Sequence, residues 1–207
     1  MSVVDAYLGL GSRYSYLAST QLDRIARETG ATFNWIPVAS PDLFAPERNP
    51  FEGAPVSGQY EWFYRKQDAE TWADYYGVPF REPMGRLTFD PRVLVRASFA
   101  AGELKKRAAM MKRLFAAVFV DDRSDIDAQA CVDLAVEIGL DRNAFRRAFQ
   151  DPTVEAERLA SLERASARGV FGVPYCIVGA RGFFGNDRLV LLAHHLGKGT
   201  AARPSFK

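Results

Sequence analysis

The chain opens on an apolar run, Val3-Val4-Asp5-Ala6-Tyr7-Leu8, whose length and β-branched content predict a short buried strand. Gly9 and Gly11 loosen the backbone after it. Leu17, Ala18, Leu22, Ile25 and Ala26 then recur at helical spacing. They predict an amphipathic helix from about Tyr14 to Gly30. Ala31 to Val38, ATFNWIPV, alternates and carries Phe33, Trp35, Ile36 and Val38, as a strand does. Two strands joined by one helix predict a parallel βαβ unit with a right-handed crossover.

Ala39 to Gln59 is irregular and holds Pro41, Pro46, Pro50 and Pro55. A loop this long inside a domain is usually functional or mobile. Helical patterning returns from Tyr60 to Tyr76, with Trp62, Phe63, Trp72, Tyr75 and Tyr76, and Gly77-Val78-Pro79 stops it. Aromatics at this spacing more often pack in a core than line a pocket. After Asp90-Pro91, helical patterns run nearly to Arg168, with Asp90 and Asp141 as N-caps and Gly139 as a C-cap. Tyr175-Cys176-Ile177-Val178 then reads as a strand, Gly179 to Gly182 as a turn, and Phe183-Phe184 as the return strand. Gly185-Asn186-Asp187 opens a last helix, Arg188 to Gly197. The order βαβ, helices, ββα predicts an α/β, thioredoxin-like sheet with a large all-helical insertion. Residues 1–60 and 169–207 would form the sheet domain and 61–168 the insertion.

Composition narrows the function classes. The net charge of +2 argues for no nucleic-acid surface, and Lys105, Lys106, Arg107, Lys112 and Arg113 read as a solvated helix face. No apolar run is long enough to span a bilayer. The first residues lack the charged, apolar and cleavage regions of a secretory signal. Cys131 and Cys176 are too few for a disulfide framework and read as two buried thiols. A cytoplasmic protein is expected.

The richest chemistry lies in Leu8 to Tyr16, LGLGSRYSY. Ser12 sits where the first strand hands over to the first helix. The first N–H groups of a helix lack internal partners, and its dipole leaves that end partly positive. An anion, a thiolate included, is stabilised there, and a hydroxyl can donate to it. The plainer alternative makes Ser12 only an N-cap. Adjacent His194 and His195 point in different directions on the last helix, so they predict packing or capping rather than a metal pair. Cys176 reads as a small buried residue, and Asn49 as a turn residue or a ligand donor.

Four stretches together carry a resemblance. They are SRYSYLA after the first strand, Trp72-Ala73 with Tyr76-Gly77-Val78-Pro79-Phe80, GVFGVP, and FFGNDRLVLLAHHLG. The chain resembles the 2-hydroxychromene-2-carboxylate isomerases and their kappa-class glutathione transferase relatives, in the DsbA-like branch of the thioredoxin fold. DsbA-like oxidoreductases carry C-x-x-C at the start of the first helix, where this chain has Ser12 and Ser15. Serine cannot trade a disulfide, so a self-contained dithiol oxidoreductase is rejected. The resemblance implies a site for another molecule's thiolate, with glutathione as its owner and cofactor and Ser12 as the catalytic hydroxyl. It implies reversible thiolate addition to an unsaturated aromatic ring-opened or chromene acid, bond rotation and elimination. In the transferases the adduct is the product. A third alternative is a non-catalytic binding module, its reactive site spoiled by Arg13.

The resemblance also implies the glutathione contacts. Val173 precedes Pro174, which matches the cis-proline of the fold, so the Val173 backbone would pair with the cysteinyl backbone like an added strand. Asn186 and Asp187 match the pair that holds the γ-glutamyl group, or else cap the last helix. Asn49 matches the family's loop asparagine. Two positions depart. Arg13 replaces the proline after the first serine, and either pairs with a substrate carboxylate or points to solvent. Glu61 stands where the relatives carry a lysine, with Arg65 and Lys66 as the nearest substitutes. Tyr14, Trp62, Phe63 and Phe171 line an acceptor pocket or pack in the core. The expected partners are a small aromatic substrate and a second copy of the chain.

Overall fold

The computed structural model describes residues 1–43, 62–81 and 89–197. Strand β1 (Val3–Gly9), helix α1 (Arg13–Thr29) and strand β2 (Thr32–Val38) form the expected βαβ unit. β1 and β2 pair in parallel, Val3 opposite Thr32 through Gly9 opposite Val38. The short α2 (Ser40–Leu43) and α3 (Trp62–Tyr76) follow. The helical run is α4 (Pro91–Glu103), α5 (Arg107–Phe119), α6 (Ala128–Glu137), α7 (Arg142–Gln150) and α8 (Pro152–Ala167). β3 (Tyr175–Val178) and β4 (Arg181–Phe184) are an antiparallel hairpin that joins the other side of β1, giving the order β2-β1-β3-β4. Among the described residues no helix is long and apolar enough to cross a membrane.

The helix ends follow local chemistry. Asp90 and Asp141 cap as expected, accepting from Arg92 N at 2.9 Å and Ala144 N at 2.8 Å. Asp127 and Asp151 do the same for α6 and α8. Gly139, at φ +80, lies one residue past the C-cap Ile138, and Leu140 N donates back to Ala135 O. The last helix starts within one residue of expectation, and its opening is a tighter turn. Asn186–Arg188 is a 3-10 turn, and only Leu189–Gly197 is α-helical (α9). Gly185, at φ +103, sends its N–H to Pro174 O, and Arg188 N closes on Gly185 O. That turn packs Asn186 against α1, within reach of the Tyr76 hydroxyl of α3, before the helix begins.

One core runs through sheet and helices. Val4, Ala6 and Leu8 alternate onto the α1 side of β1, as period-two spacing requires. Tyr7 faces the other side, with Val38, Ile177 and Ala165 of α8. The Tyr16 ring stacks on Phe119 at 5.3 Å and on Phe80 at 6.1 Å, tying α1 to the helical segment. Two sequence expectations need correction. The α3 aromatics divide: Trp72 and Tyr76 are partly buried against the core, Phe63 and Tyr75 are largely exposed, and the residues fully buried in α3 are Ala69 and Ala73. Small side chains there let α3 approach α1 closely. The basic cluster is also more than a solvated face. Lys112 pairs with Asp23 and lies over Trp35, Arg113 holds Glu137 and Asp121, and Arg107 lies on the Phe99 ring.

Both cysteines are free and buried, and burial pushes each thiol up to about 12. Both thiols are protonated in folded and unfolded chains below about pH 8.5. Above it the unfolded chain ionises first, so stability falls as pH rises toward the folded values. Each thiol is expected to remove about 1.4 kcal/mol per pH unit in that window. Urea melts at pH 8 and pH 10 check this. An alanine double variant at Cys131 and Cys176 should lose that part of the slope, and an unchanged slope would refute the assignment.

Candidate active site

The end of β1 and the start of α1 are joined by a tight turn, in which Ser12 N donates to Gly9 O at 2.9 Å. Ser12 is the N-cap of α1, with φ −100 and ψ 120. Its Oγ accepts from Ser15 N at 3.3 Å. A hydroxyl carries one proton and two lone pairs, so this bond leaves the proton available to donate. Ser15 plays a different part. It is fully buried, and its Oγ accepts from Gly9 N at 3.0 Å, fastening the strand end to the helix. Ser12 itself remains half-buried.

The Val173–Pro174 bond is cis, as expected. Gly9 marks where it meets the helix. A Cβ on Gly9 would lie 2.6 Å from Val173 Cγ2, 2.7 Å from Ser40 Oγ and 3.5 Å from Ser12 Cβ. Only glycine fits at that crossing. Ser12 and Val173 therefore flank one point at the C-terminal end of β1. Among the described residues neither the N–H nor the C=O of Val173 makes a hydrogen bond. Both are open to an extended peptide.

Asn186 is 3% exposed, and its Oδ1 accepts from the Tyr76 hydroxyl at 3.0 Å. Its Nδ2 is buried with no acceptor among the described residues. A buried amide donor left unpaired is costly, and a ligand carboxylate would satisfy it. Burial pushes the Tyr76 phenol up to about 12, so it stays a donor at neutral pH. Asp187 is exposed and pairs with Arg188 at 2.9 Å, so a bound ammonium would have to displace that arginine.

The remaining expected residues divide. Arg13 is 8% exposed, which rules out the alternative in which it points to solvent. Tyr14 is partly buried, and its phenol is pushed up by burial and by the hydrogen bond to Asp68 of α3. It therefore bridges α1 and α3. Phe63 is 77% exposed and Phe171 is 54% exposed, so neither sits in an enclosed pocket. The Phe171 ring packs on Phe184 at 4.7 Å and on Tyr175 at 5.4 Å, part of an aromatic patch on the hairpin. Asn49 and Glu61 lie outside the described residues, as does the side chain of Trp62. Lys66, one substitute for the relatives' lysine, pairs with Glu70 at 2.5 Å. His195 packs on Phe183, and Cys176 is fully buried. Among the described residues no group of histidines, cysteines and acids can hold a metal ion. Sequence reasoning missed the Tyr76–Asn186 bond. Its partners are 110 residues apart, and no local pattern announces it.

Three comparisons place this arrangement among known proteins. The chain is 28% identical to the 2-hydroxychromene-2-carboxylate isomerase of Sphingobium xenophagum, covering 93% of this chain and 97% of that one. It is 28% identical to the enzyme of the same name from Pseudomonas putida, covering 95% of each. The solved structure of a selenomethionine 2-hydroxychromene-2-carboxylate isomerase superposes with a TM-score of 0.81, at 25% identity over 95% of each chain. The family model of the DSBA-like thioredoxin domain matches residues 3–197. With that match over nearly its whole length, the chain belongs to the DSBA-like thioredoxin domain family.

Proposed function

We propose that the chain is a glutathione-dependent isomerase of an aromatic-degradation intermediate such as 2-hydroxychromene-2-carboxylate. The observation that carries this is the Ser12 hydroxyl. It sits at a helix N-terminus, accepts from Ser15 N, and keeps its proton for an anion beside the open Val173 backbone. No cysteine stands at either position, so disulfide exchange is not available to the site. Glutathione fits the donor set: Val173 N–H and C=O for its cysteinyl backbone, the orphaned Asn186 amide for its γ-glutamyl carboxylate, and Asp187 for its ammonium.

Glutathione held by Val173 and Asn186 would supply a thiolate nucleophile for reversible addition to the substrate double bond. Ser12 and the α1 dipole favour the ionised sulfur over the thiol. A charge-assisted hydrogen bond with the dipole lowers a thiol of pKa about 8.5 by one to two units, which populates the nucleophile near neutral pH. Val173 would hold the cysteinyl backbone of the tripeptide and Asn186 its γ-glutamyl end, so the sulfur is delivered rather than free to diffuse. Arg13, buried beside Ser12, offers a cation for the substrate carboxylate.

The test is an assay of 2-hydroxychromene-2-carboxylate with and without glutathione, followed by absorbance and mass spectrometry. Interconversion of isomers at unchanged mass, only when glutathione is present, supports the proposal. A product heavier by one glutathione would make the protein a transferase. No turnover with no saturable glutathione binding would make it a binding module. Tyr76→Phe removes the donor to Asn186 Oδ1 while keeping the ring. It is expected to weaken glutathione about fivefold in KM, with kcat nearly unchanged, of order one neutral hydrogen bond. An unaltered KM would show that Asn186 needs no help from Tyr76.

A further inference from the structure

A cleft of about 660 Å³ opens away from the Ser12 site, along the outer edge of β2. Its lining wraps round that edge: Phe33 reaches it from one face of β2 and Ile36 from the other, and the turn from α4 to α5 and residues Glu157 to Arg168 complete it. Its size suits a small organic molecule better than a bare ion.

Its charge is unbalanced. Lys105, Arg107, Arg164 and Arg168 line it against two acids, Asp5 and Glu157. Both acids are engaged, Glu157 with Arg164 at 2.7 Å and Asp5 with Arg168. Among the described residues Lys105 and Arg107 have no ion-pair partner, and Glu157 and Glu103 act on Arg107 only at longer range. Arg107 is also held in place. Its guanidinium lies over the Phe99 ring at 4.6 Å and against Gly102, where a Cβ would come within 2.7 Å of its Nε. That Nε is buried with no acceptor among the described residues. A fixed, half-desolvated guanidinium beside a second unpaired cation draws an oxyanion far more strongly than solvated surface lysines do.

We propose that this cleft is a second binding site, for a small organic anion that sets a carboxylate against Lys105 and Arg107 and an apolar ring against Phe33. The site is independent of the glutathione assignment, because none of these residues belongs to the Ser12 constellation. Burial that disfavours the Arg107 charge in the free protein would be relieved by the bound anion.

Calorimetry with 1-naphthoate and, separately, with inorganic phosphate tests it on the full chain. Saturable naphthoate binding that weakens with salt, and that falls about tenfold or more in Lys105→Gln, is expected. Arg107→Gln should fall further. Because Arg107 also packs on Phe99, the melting temperature of that variant is measured alongside. Should it unfold, Lys105→Gln, at an exposed position, decides the question by itself. Glutathione-dependent activity should be unchanged in Lys105→Gln. Binding of phosphate but not naphthoate would overturn the organic-anion assignment. No saturable binding, or naphthoate affinity indifferent to Lys105→Gln, would overturn the site.

Discussion

Ser12→Ala is expected to lower glutathione-dependent turnover about hundredfold, the usual cost of removing one donor aimed at a developing or bound anion. That corresponds to about 2.7 kcal/mol of transition-state stabilisation. The substitution has a second effect, because Ser12 also caps α1. Loss of the cap is expected to remove about 1 kcal/mol of stability. The two effects separate in Ser12→Asp. Aspartate caps as well as serine, so stability should be retained, but it has no proton to donate and repels a thiolate. Its activity should fall at least as far as that of the alanine variant. The pH dependence of kcat/KM gives a third readout. Without the Ser12 donor the thiolate is less favoured, so the rising limb should move to higher pH. Steady-state assays on protein shown to be folded by its melting curve measure all three. Alanine activity within twofold of the parent would remove Ser12 from the catalytic role.

Phe115→Ala is expected to cost about 3–5 kcal/mol, the range for deleting a fully buried aromatic side chain. Phe115 is 1% exposed, and its ring lies 6.2 Å from Tyr16 of α1 and 6.5 Å from Phe119. The cavity would open where the helical segment meets the helix that carries Ser12. At about 2–4 °C per kcal/mol for a chain of this size, the melting temperature should fall by roughly 6–20 °C. Residues of β1, α1 and every helix from α3 to α9 contribute to one core, so unfolding should remain a single transition. Two transitions in calorimetry, with only one displaced, would mean that the helical segment and the sheet unfold separately.

The Tyr76 and Ser12 predictions differ in kind. The first removes binding that serves ground and transition states alike, and so appears in KM. The second removes stabilisation of the reacting sulfur, and so appears in kcat. The Gly9 crossing explains why both depend on one piece of backbone. No side chain can occupy position 9 without moving Val173 or Ser40, and so the spacing between Ser12 and the cis-proline loop.

The sequence by itself determined the order of elements, the βαβ start, the capping aspartates and the placement of Ser12 at a strand-to-helix junction. These are short-range properties. Hydrophobic period and the chemistry of caps and glycines act over a few residues and can be read there. The absence of a redox cysteine pair was equally legible, because it needs only residue types at one motif. Other features belonged to the tertiary structure. Phe63 and Tyr75 share the aromatic patterning of Trp72 and Tyr76, yet they are exposed, while Ala69 and Ala73 are the residues α3 buries beside α1. Arg13 is as polar as any surface residue, yet it is buried, which no single-residue property reveals. Ser15 became a structural clamp and Ser12 the available hydroxyl only once Gly9 N was seen to donate to one of them. Tyr76 reached Asn186, and Val173 reached Gly9, across more than a hundred residues of chain. Such contacts are chosen by the packing of whole elements, and packing is a property of the folded molecule rather than of any stretch within it.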